Sequence, residues 1–270
     1  MRESWDDAAW EALARELDAW RAEGQTATVW WRDDDAGRAD PGLDRLLALA
    51  MRTGLPLGLA VVPAWLTPEG AACIEGAPPP VAVLQHGFAH ANHETVPLPG
   101  SRKVRPAECG AARPVALVLE EIRQGWGRLR RFGPRLLPVF VPPWNRIAPV
   151  VRDALPTLGF RAVSAFGSRG PAGAGPVSLN CHVDPIVWRA GTAFLGAAAT
   201  LDRLRAHLAA RRTGAADPSE PTGLLTHHRD MDEPLWEFLA ELLPRLATHP
   251  AVRFPPVGAA VVAGAPSTVP

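Results

Sequence analysis

An α/β fold built on a mostly parallel sheet is what this sequence predicts, and three observations predict it. Short runs rich in Val, Leu and Trp alternate with stretches of helical periodicity, the pattern of repeated strand–helix units. Four polar clusters each follow directly on one of those apolar runs. The chain of 270 residues, 47% hydrophobic and 21% charged, is long enough for a substantial buried core and has no charge excess of the disordered kind.

The elements read in order as follows. A first helix over residues 5–23 takes Ser4 or Asp7 as its cap, lines up Trp10, Leu13, Leu17 and Trp20, and ends at Gly24. Trp10 and Trp20 belong to the core on this spacing. TVWW (28–31) is a buried strand, 42–52 a helix facing inward with Leu43, Leu46, Leu47 and Ala50, and LGLAVV (57–62) the next strand. The Pro- and Gly-bearing stretch 63–80 reads as a loop before the strand VAVLQ (81–85). Residues 94–114 are irregular, and 115–131 form a helix with Leu119, Ile122, Trp126 and Leu129 in phase. PVFV (138–141) is a strand, 150–158 a helix, 160–165 a strand, 167–175 a loop, and VSLNCHVDPIVW (177–188) a strand with a turn. Then come a helix (201–211), a loop (214–221), the strand GLLT (223–226) and a well-patterned helix (232–248). A short strand at 252–254 and a loose tail at 256–270 complete a single expected domain spanning 1–270, its sheet region covering about 28–255. No internal repeat and no shift of composition marks a second one.

Charge and composition exclude several classes of function. Lys plus Arg and Asp plus Glu both number 28, so the formal net charge is zero, and neither a nucleic-acid footprint nor a polybasic membrane surface is present. The run RLRR (128–131) reads as a solvated helix end. Lys103 is the only lysine and tyrosine is absent, so the wealth of Arg, Ala, Gly and Pro is a compositional bias, and arginine abundance carries no functional message. Cys73, Cys109 and Cys181 form no spacing motif, which fits a reducing compartment. The N-terminus lacks the order of an export signal, and no apolar run approaches the roughly 18 residues that span a bilayer. The expected compartment is the cytoplasm; the oligomeric state is open.

The polar clusters carry the chemistry. Asp33, Asp34 and Asp35 follow TVWWR; His86 follows VAVLQ, with His90 four residues on; Pro142, Pro143, Trp144 and Asn145 follow PVFV; His227 and His228 follow GLLT. In a closed barrel or an open parallel sheet, the carboxyl ends of strands converge on one face, where active sites lie. Each cluster alone has a plain reading, as a solvated turn, a satisfied histidine pair or a rigid corner. Together they point to one site, because carboxylates behind an apolar strand are costly to bury unless paired or bound to a cation. Two imidazoles and a carboxylate are a three-ligand set that leaves a position open for substrate. Glu94 and Glu108 remain candidate acids or bases, whereas Glu120 and Glu121 lie on a solvated helix face. His93 reads as a neighbouring or surface histidine. No GxSxG elbow, Walker loop or GxGxxG turn occurs.

In this chain order the clusters resemble the motifs of the polysaccharide deacetylase family of carbohydrate esterases, over roughly residues 28–230. The resemblance implies a distorted, incomplete (β/α) barrel and a metal-dependent hydrolase that removes an acyl group, N-acetyl above all, from a carbohydrate. It implies Asp34 as general base and Asp35, His86 and His90 as ligands of a divalent metal. The register Asp33/Asp34 is the alternative. Zinc is the first expectation for that donor set, with cobalt, nickel and manganese also compatible. Trp144 takes the place of the aromatic residue whose backbone N–H helps form an oxyanion hole. NCHVDPIVW supplies Asp184, expected to hold the catalytic imidazole, and Trp188. LLTH makes His227 the catalytic acid, with His228 as fallback. Pro143, Trp188 and His228 are expected to line the substrate, an acetylated sugar or related small molecule. One departure stands out: the arginine that orients the base in that family falls on Val141, leaving Arg32 or Arg146 as its substitute. The rival readings are an amidase acting on a small non-sugar amide and a non-catalytic metal- or glycan-binding module.

Overall fold

A computed structural model of the chain describes residues 7–77, 80–97, 103–169, 175–188 and 191–263. Its first helix, α1 (Asp7–Ala22), buries the predicted stripe of Trp10, Leu13, Leu17 and Trp20. The strand β1 (Ala27–Ala36) follows and runs well past TVWW to include all three aspartates. Helix α2 (Pro41–Thr53) starts at Asp40, whose carboxylate accepts the Leu43 N–H, and stops at Gly54 in the left-handed region, φ 65°. Strand β2 (Leu57–Val61) is wholly buried.

The stretch expected to be a loop contains a helix instead, α3 (Pro68–Gly76). Thr67 caps it by accepting the Gly70 N–H at 3.1 Å, and Pro68 occupies the first turn, where its missing N–H costs nothing. The Thr-Pro-Glu start signal was present in the sequence and was masked by the surrounding glycine and proline. Strand β3 (Val81–His86), helix α4 (Val115–Leu129) and strand β4 (Leu136–Val141) come next. The predicted helix after them is a short α5 (Pro149–Ala154) continued by a 3₁₀ turn, and the strand at 160–165 is only β5 (Ala162–Val163). Strand β6 (Val177–Ser178), the hairpin β7 (Ile186–Val187) and β8 (Ala193–Phe194), α6 (Ala197–Arg212), β9 (Thr222–Thr226), α7 (Glu233–Thr248) and β10 (Val252–Arg253) follow.

All pairings of the main sheet are parallel, in the order β10-β1-β2-β3-β4-β5-β6, with β9 also paired to β1. Among the described residues the ring is completed by a single bridge, Val183 to Leu224 of β9. The architecture is therefore the expected distorted, incomplete (β/α) barrel.

Strand alternation sorts the side chains into three buried clusters, the third joining Phe140 of β4 to Val118 and Ile122 of α4 and Val151 of α5. Val29 and Trp31 of β1, Val83 of β3 and Leu224 of β9 face outward into a cluster shared with α1, α2, α6 and α7. Trp30, Leu84, Val139, Val141 and Leu225 face inward into a second cluster. The far mouth of the barrel is plugged by α8 (Val257–Ala263), whose Val257, Ala260 and Val261 join that inner cluster. This corrects the expected loose tail up to residue 263; residues 264–270 lie outside the described residues. A short apolar segment such as VGAAVVA shows too little period to predict a docked helix; the open barrel end selects it. With the amino-end mouth filled by apolar groups, the inward polar residues Arg32, Asp34, His86 and His227 collect at the carboxyl end.

Candidate active site

The three adjacent aspartates point three ways because β1 is bulged. Its register against β2 shifts between Asp33 and Ala36, and Asp35 sits at φ 69°. Regular alternation would place Asp33 and Asp35 together on the outer face. The bulge turns Asp35 to the barrel mouth beside Asp34. Asp33 stays outside, where Thr226 Oγ1 at 2.6 Å, the His228 N–H at 3.0 Å and His228 Nδ1 at 2.5 Å all donate to it.

Asp35 Oδ1 lies 3.3 Å from His86 Nε2 and 3.3 Å from His90 Nε2, and it is buried without a hydrogen-bond partner. His86 donates its Nδ1–H to the Val141 carbonyl at 2.9 Å, which fixes its tautomer and leaves the Nε2 lone pair facing Asp35. Burial works against the charged form of Asp35, yet His86, His90 and His227 hold its carboxyl well below the usual range. Burial and His86 depress His90, while Asp34 and Asp35 raise His86 in spite of its burial. An orphaned carboxylate oxygen facing two oriented imidazoles fits a divalent cation.

A second group with compatible residue types, His182, His207 and Glu220, does not fit one. The Gly223 N–H donates to His182 Nδ1 at 3.0 Å, so the ring proton of neutral His182 is on Nε2, the atom facing Glu220. The two rings also stack, 3.7 Å apart with planes 19° from parallel, so their in-plane lone pairs run side by side and do not converge.

Two further residues hold the centre: Arg32, one of the two arginines expected to attend the base, and Glu108, expected as an acid or base and not as a support. Arg32, buried beneath Asp34, has Nε 2.8 Å from Asp34 Oδ1, off the line of a hydrogen bond, and Nη2 donating to Oδ2 at 2.9 Å. Its remaining donors reach Asn145 Oδ1 at 2.6 Å, Ser164 Oγ at 2.6 Å and the Ser164 carbonyl at 2.9 Å. Arg146 instead turns to the Pro106 carbonyl, so Arg32 is the arginine beside Asp34. Position parity within β1 could have signalled it, since residues two apart share a face. Glu108 accepts the N–H groups of Phe88, Ala89 and His90 at 3.0, 2.8 and 2.9 Å, clamping the turn that carries His90. Gly87 is required in that turn: its φ is 55°, and a Cβ there would collide with Glu108 and Pro143. No local pattern announces a carboxylate 18 residues downstream.

All four non-glycine residues with positive φ among the described residues are Asp35, His90, Trp144 and Asn145, every one at this site. Such strain persists where surrounding structure over-determines it, and it gathers at functional centres. The Trp144 ring lies 4.2 Å from that of His90, and its N–H belongs to the first turn of a 3₁₀ helix, which leaves it without an intrahelical acceptor.

The remaining predicted residues divide. His227 Nε2 is 3.9 Å from Asp34 Oδ2, inside the mouth, and the Trp188 ring meets the His227 ring edge-on at 4.7 Å. Trp188 is 49% exposed, open to a ligand. Asp184 does not bond to His227: its carboxylate accepts Trp188 Nε1 at 2.7 Å and the Ile186 N–H at 2.9 Å. It orients the indole that packs on His227, and burial pushes its carboxyl up. His228 is buried and paired with Asp33, because the next position along a strand end faces the opposite side from His227. Pro143 is likewise buried, wedged against Gly87 beneath the His90 turn.

The curled parallel barrel is the fold of the polysaccharide deacetylases and family 4 carbohydrate esterases. No family model and no curated protein matches the sequence. Among solved structures, the chain superposes on a Mycobacterium smegmatis protein assigned to the polysaccharide deacetylases with a TM-score of 0.60 at 17% identity, covering 89% of this chain and 91% of that one. A family 4 acetyl xylan esterase from Clostridium thermocellum, in complex with a cobalt ion, gives 0.54 at 15% identity over 87% and 90% of the two chains. The peptidoglycan deacetylase PdaC from Bacillus subtilis gives 0.52 at 12% identity over 88% and 91%. No helix of the described residues is long and apolar enough to cross a membrane.

Proposed function

We propose that the chain is a metal-dependent hydrolase that removes an acyl group, N-acetyl foremost, from a carbohydrate. The observation that carries this reading is the convergence of Asp35, His86 and His90 on one point, with Asp34 and His227 on the same mouth. The fold shared with deacetylases and an acetyl xylan esterase supports it. Asp35, His86 and His90 would hold the cation, zinc by first preference for two imidazoles and a carboxylate, with cobalt, nickel or manganese as alternatives. Such a cation supplies Lewis acidity toward the acyl carbonyl and makes water a stronger acid.

The protein's own groups do the rest. Asp34, held by Arg32, accepts the proton of the attacking water at its carboxylate. The Trp144 N–H faces the charge that grows on the carbonyl oxygen. His227 donates a proton to the departing amine from Nε2, while its ring is braced by Trp188 and, through that indole, by Asp184. A carboxylate base and an imidazole acid suit the two proton transfers because their ordinary pKa values differ. The whole of 1–270 then serves as one catalytic domain. Three free cysteines, two of them buried, support a cytoplasmic setting.

Metal analysis of the purified protein together with acetate release from N-acetylated sugars tests the proposal. Asp34→Asn is expected to abolish turnover with metal content retained, and Asp35→Asn or His86→Ala to lose both. Metal retained by Asp35→Asn and lost by Asp34→Asn would overturn the division of roles; turnover confined to small aliphatic amides would overturn the sugar.

A further inference from the structure

Beside the centre, the loop after β1 and the loop after β9 enclose a second recess. This cleft of about 500 Å³ is walled by Arg38, Asp40, Arg45, His228, Arg229 and Trp236 among others. It adjoins the catalytic mouth through the chain itself, since Asp35 precedes Arg38 by three residues and His227 precedes Arg229 by two.

Three arginines wall the cleft, and two of them, Arg38 and Arg229, have no anion bonded to them among the described residues, although Asp230 adjoins Arg229. Arg38 and Arg229 form neither a hydrogen bond nor a close ion pair. Their guanidinium carbons lie 5.6 and 5.2 Å from the centroid of the same Trp65 ring, which is 5.4 Å from the ring of His90. Asp40, the one carboxylate in the wall, already caps α2 through the Leu43 N–H. At the floor His228 is fully buried; its Nδ1 is committed to Asp33, and its Nε2 has no hydrogen bond and stands 3.8 Å from Asp40. Arg45 is bound to Glu233 by two 2.6 Å hydrogen bonds and rests over the Trp236 ring.

An unpaired surface arginine means little in a chain this rich in arginine. Two guanidinium groups over one indole, on residues that wall the same cleft, are different: they gather positive charge at one place, and an anion entering the cleft would offset it. Planar guanidinium forks match the oxygens of phosphate and carboxylate.

We propose that this cleft receives an anionic group of the substrate, a phosphate or carboxylate, so that the acylated sugar processed here is charged. The identity of the sugar rests on the hydrolase reading above; the anion site does not.

The test uses the full chain. Calorimetric titration with pyrophosphate is expected to show binding that weakens about tenfold or more in Arg38→Gln/Arg229→Gln, since both substitutions lose charge-assisted hydrogen bonds to the anion. Arg229→Gln alone should weaken it in part, and Arg21→Gln, on the far helix α1, should match the parent. Acetate release is then compared for a neutral N-acetylamino sugar, its phosphate ester and a carboxylated N-acetylamino sugar. The charged sugars should show the lower KM, and the double variant should raise KM for whichever charged sugar is preferred at least tenfold more than for the neutral one. Preference between the two identifies the phosphate or the carboxylate as the natural group. Absence of anion binding, or equal binding by parent and double variant, overturns the proposal, as does equal use of neutral and charged sugars. Anion binding that obeys the arginines without turnover of any acetylated sugar sinks the hydrolase reading and leaves the cleft assigned.

Discussion

Arg32 Nε stands 2.8 Å from Asp34 Oδ1 with both side chains out of solvent, so β1 supplies a carboxylate and its guanidinium partner from positions two apart. The position at which the family resemblance expects the arginine holds Val141, packed in the inner core. Burial acts to lower the Arg32 pKa, and Asp34 more than offsets it, so the guanidinium keeps its charge although it is buried.

Removing one member of this pair should cost far more than removing both. Arg32→Met leaves a buried carboxylate alone, which costs about 3–5 kcal/mol. Urea unfolding is expected to show that loss, with part of it recovered in Arg32→Met/Asp34→Asn. Arg32→Lys keeps the charge without the fork and should fall between. A loss below about 1 kcal/mol, the worth of a solvent-exposed pair, would mean the ion pair contributes nothing beyond that.

The adjacent histidines should behave oppositely. His227→Ala is expected to lower the rate by about 10²–10⁴-fold, the usual worth of a positioned acid, with stability little changed. His228→Ala should instead destabilise the protein, since it strips Asp33 of a buried partner. Turnover and urea midpoints of the two variants, measured side by side, decide it. Equal, mild losses of rate would leave neither as the acid.

Glu108 should matter to metal affinity although it touches no ligand atom. Glu108→Ala frees three backbone N–H groups under the His90 turn and is expected to weaken cation binding by about 10–100-fold, as losing the support of a ligand does. Competition with a chromogenic chelator reads this directly. Glu108→Gln, which keeps an oxygen in place, should lose less.

His207 sets a pH dependence of stability. Burial, with His182 and Arg211 nearby, pushes its pKa down to about 3, whereas the unfolded chain titrates near about 6.5. Between those values the unfolded state binds a proton that the folded state refuses, so stability falls as pH drops from about 6.5 toward 3. Urea midpoints at pH 7 and 4.5 should differ less in His207→Gln than in the parent. The His207 ring resonances should stay flat from pH 7.5 to 5; a midpoint inside that range would remove the effect.

Much of this molecule is visible in the order of its residues. The helix stripe Trp10, Leu13, Leu17, Trp20 and the inward face of α7 are periodic and sit where that period puts them. The strands β1, β3, β4 and β9 each end at a polar cluster, and the parallel sheet brings those ends together. Helix α3 was obscured by glycine and proline, although Thr67 and Pro68 mark its start.

By itself the sequence determined the class of fold, the pole at which the polar residues meet, and Asp34, Asp35, His86, His90 and His227 as the set to be assembled. Periodicity supplies the first two, because it records which side of one element is buried; the five residues are what the resemblance of their motifs to the polysaccharide deacetylases implies. Tertiary structure alone decided which aspartate faces which way, through the bulge at Asp35. It also decided that Arg32 and not Arg146 attends Asp34, that Asp184 serves Trp188, that His228 is buried, and that α8 stoppers the barrel. Those outcomes depend on strand register and on what fills the barrel's two mouths. Both arise only when distant segments close on one another, and no local pattern encodes them.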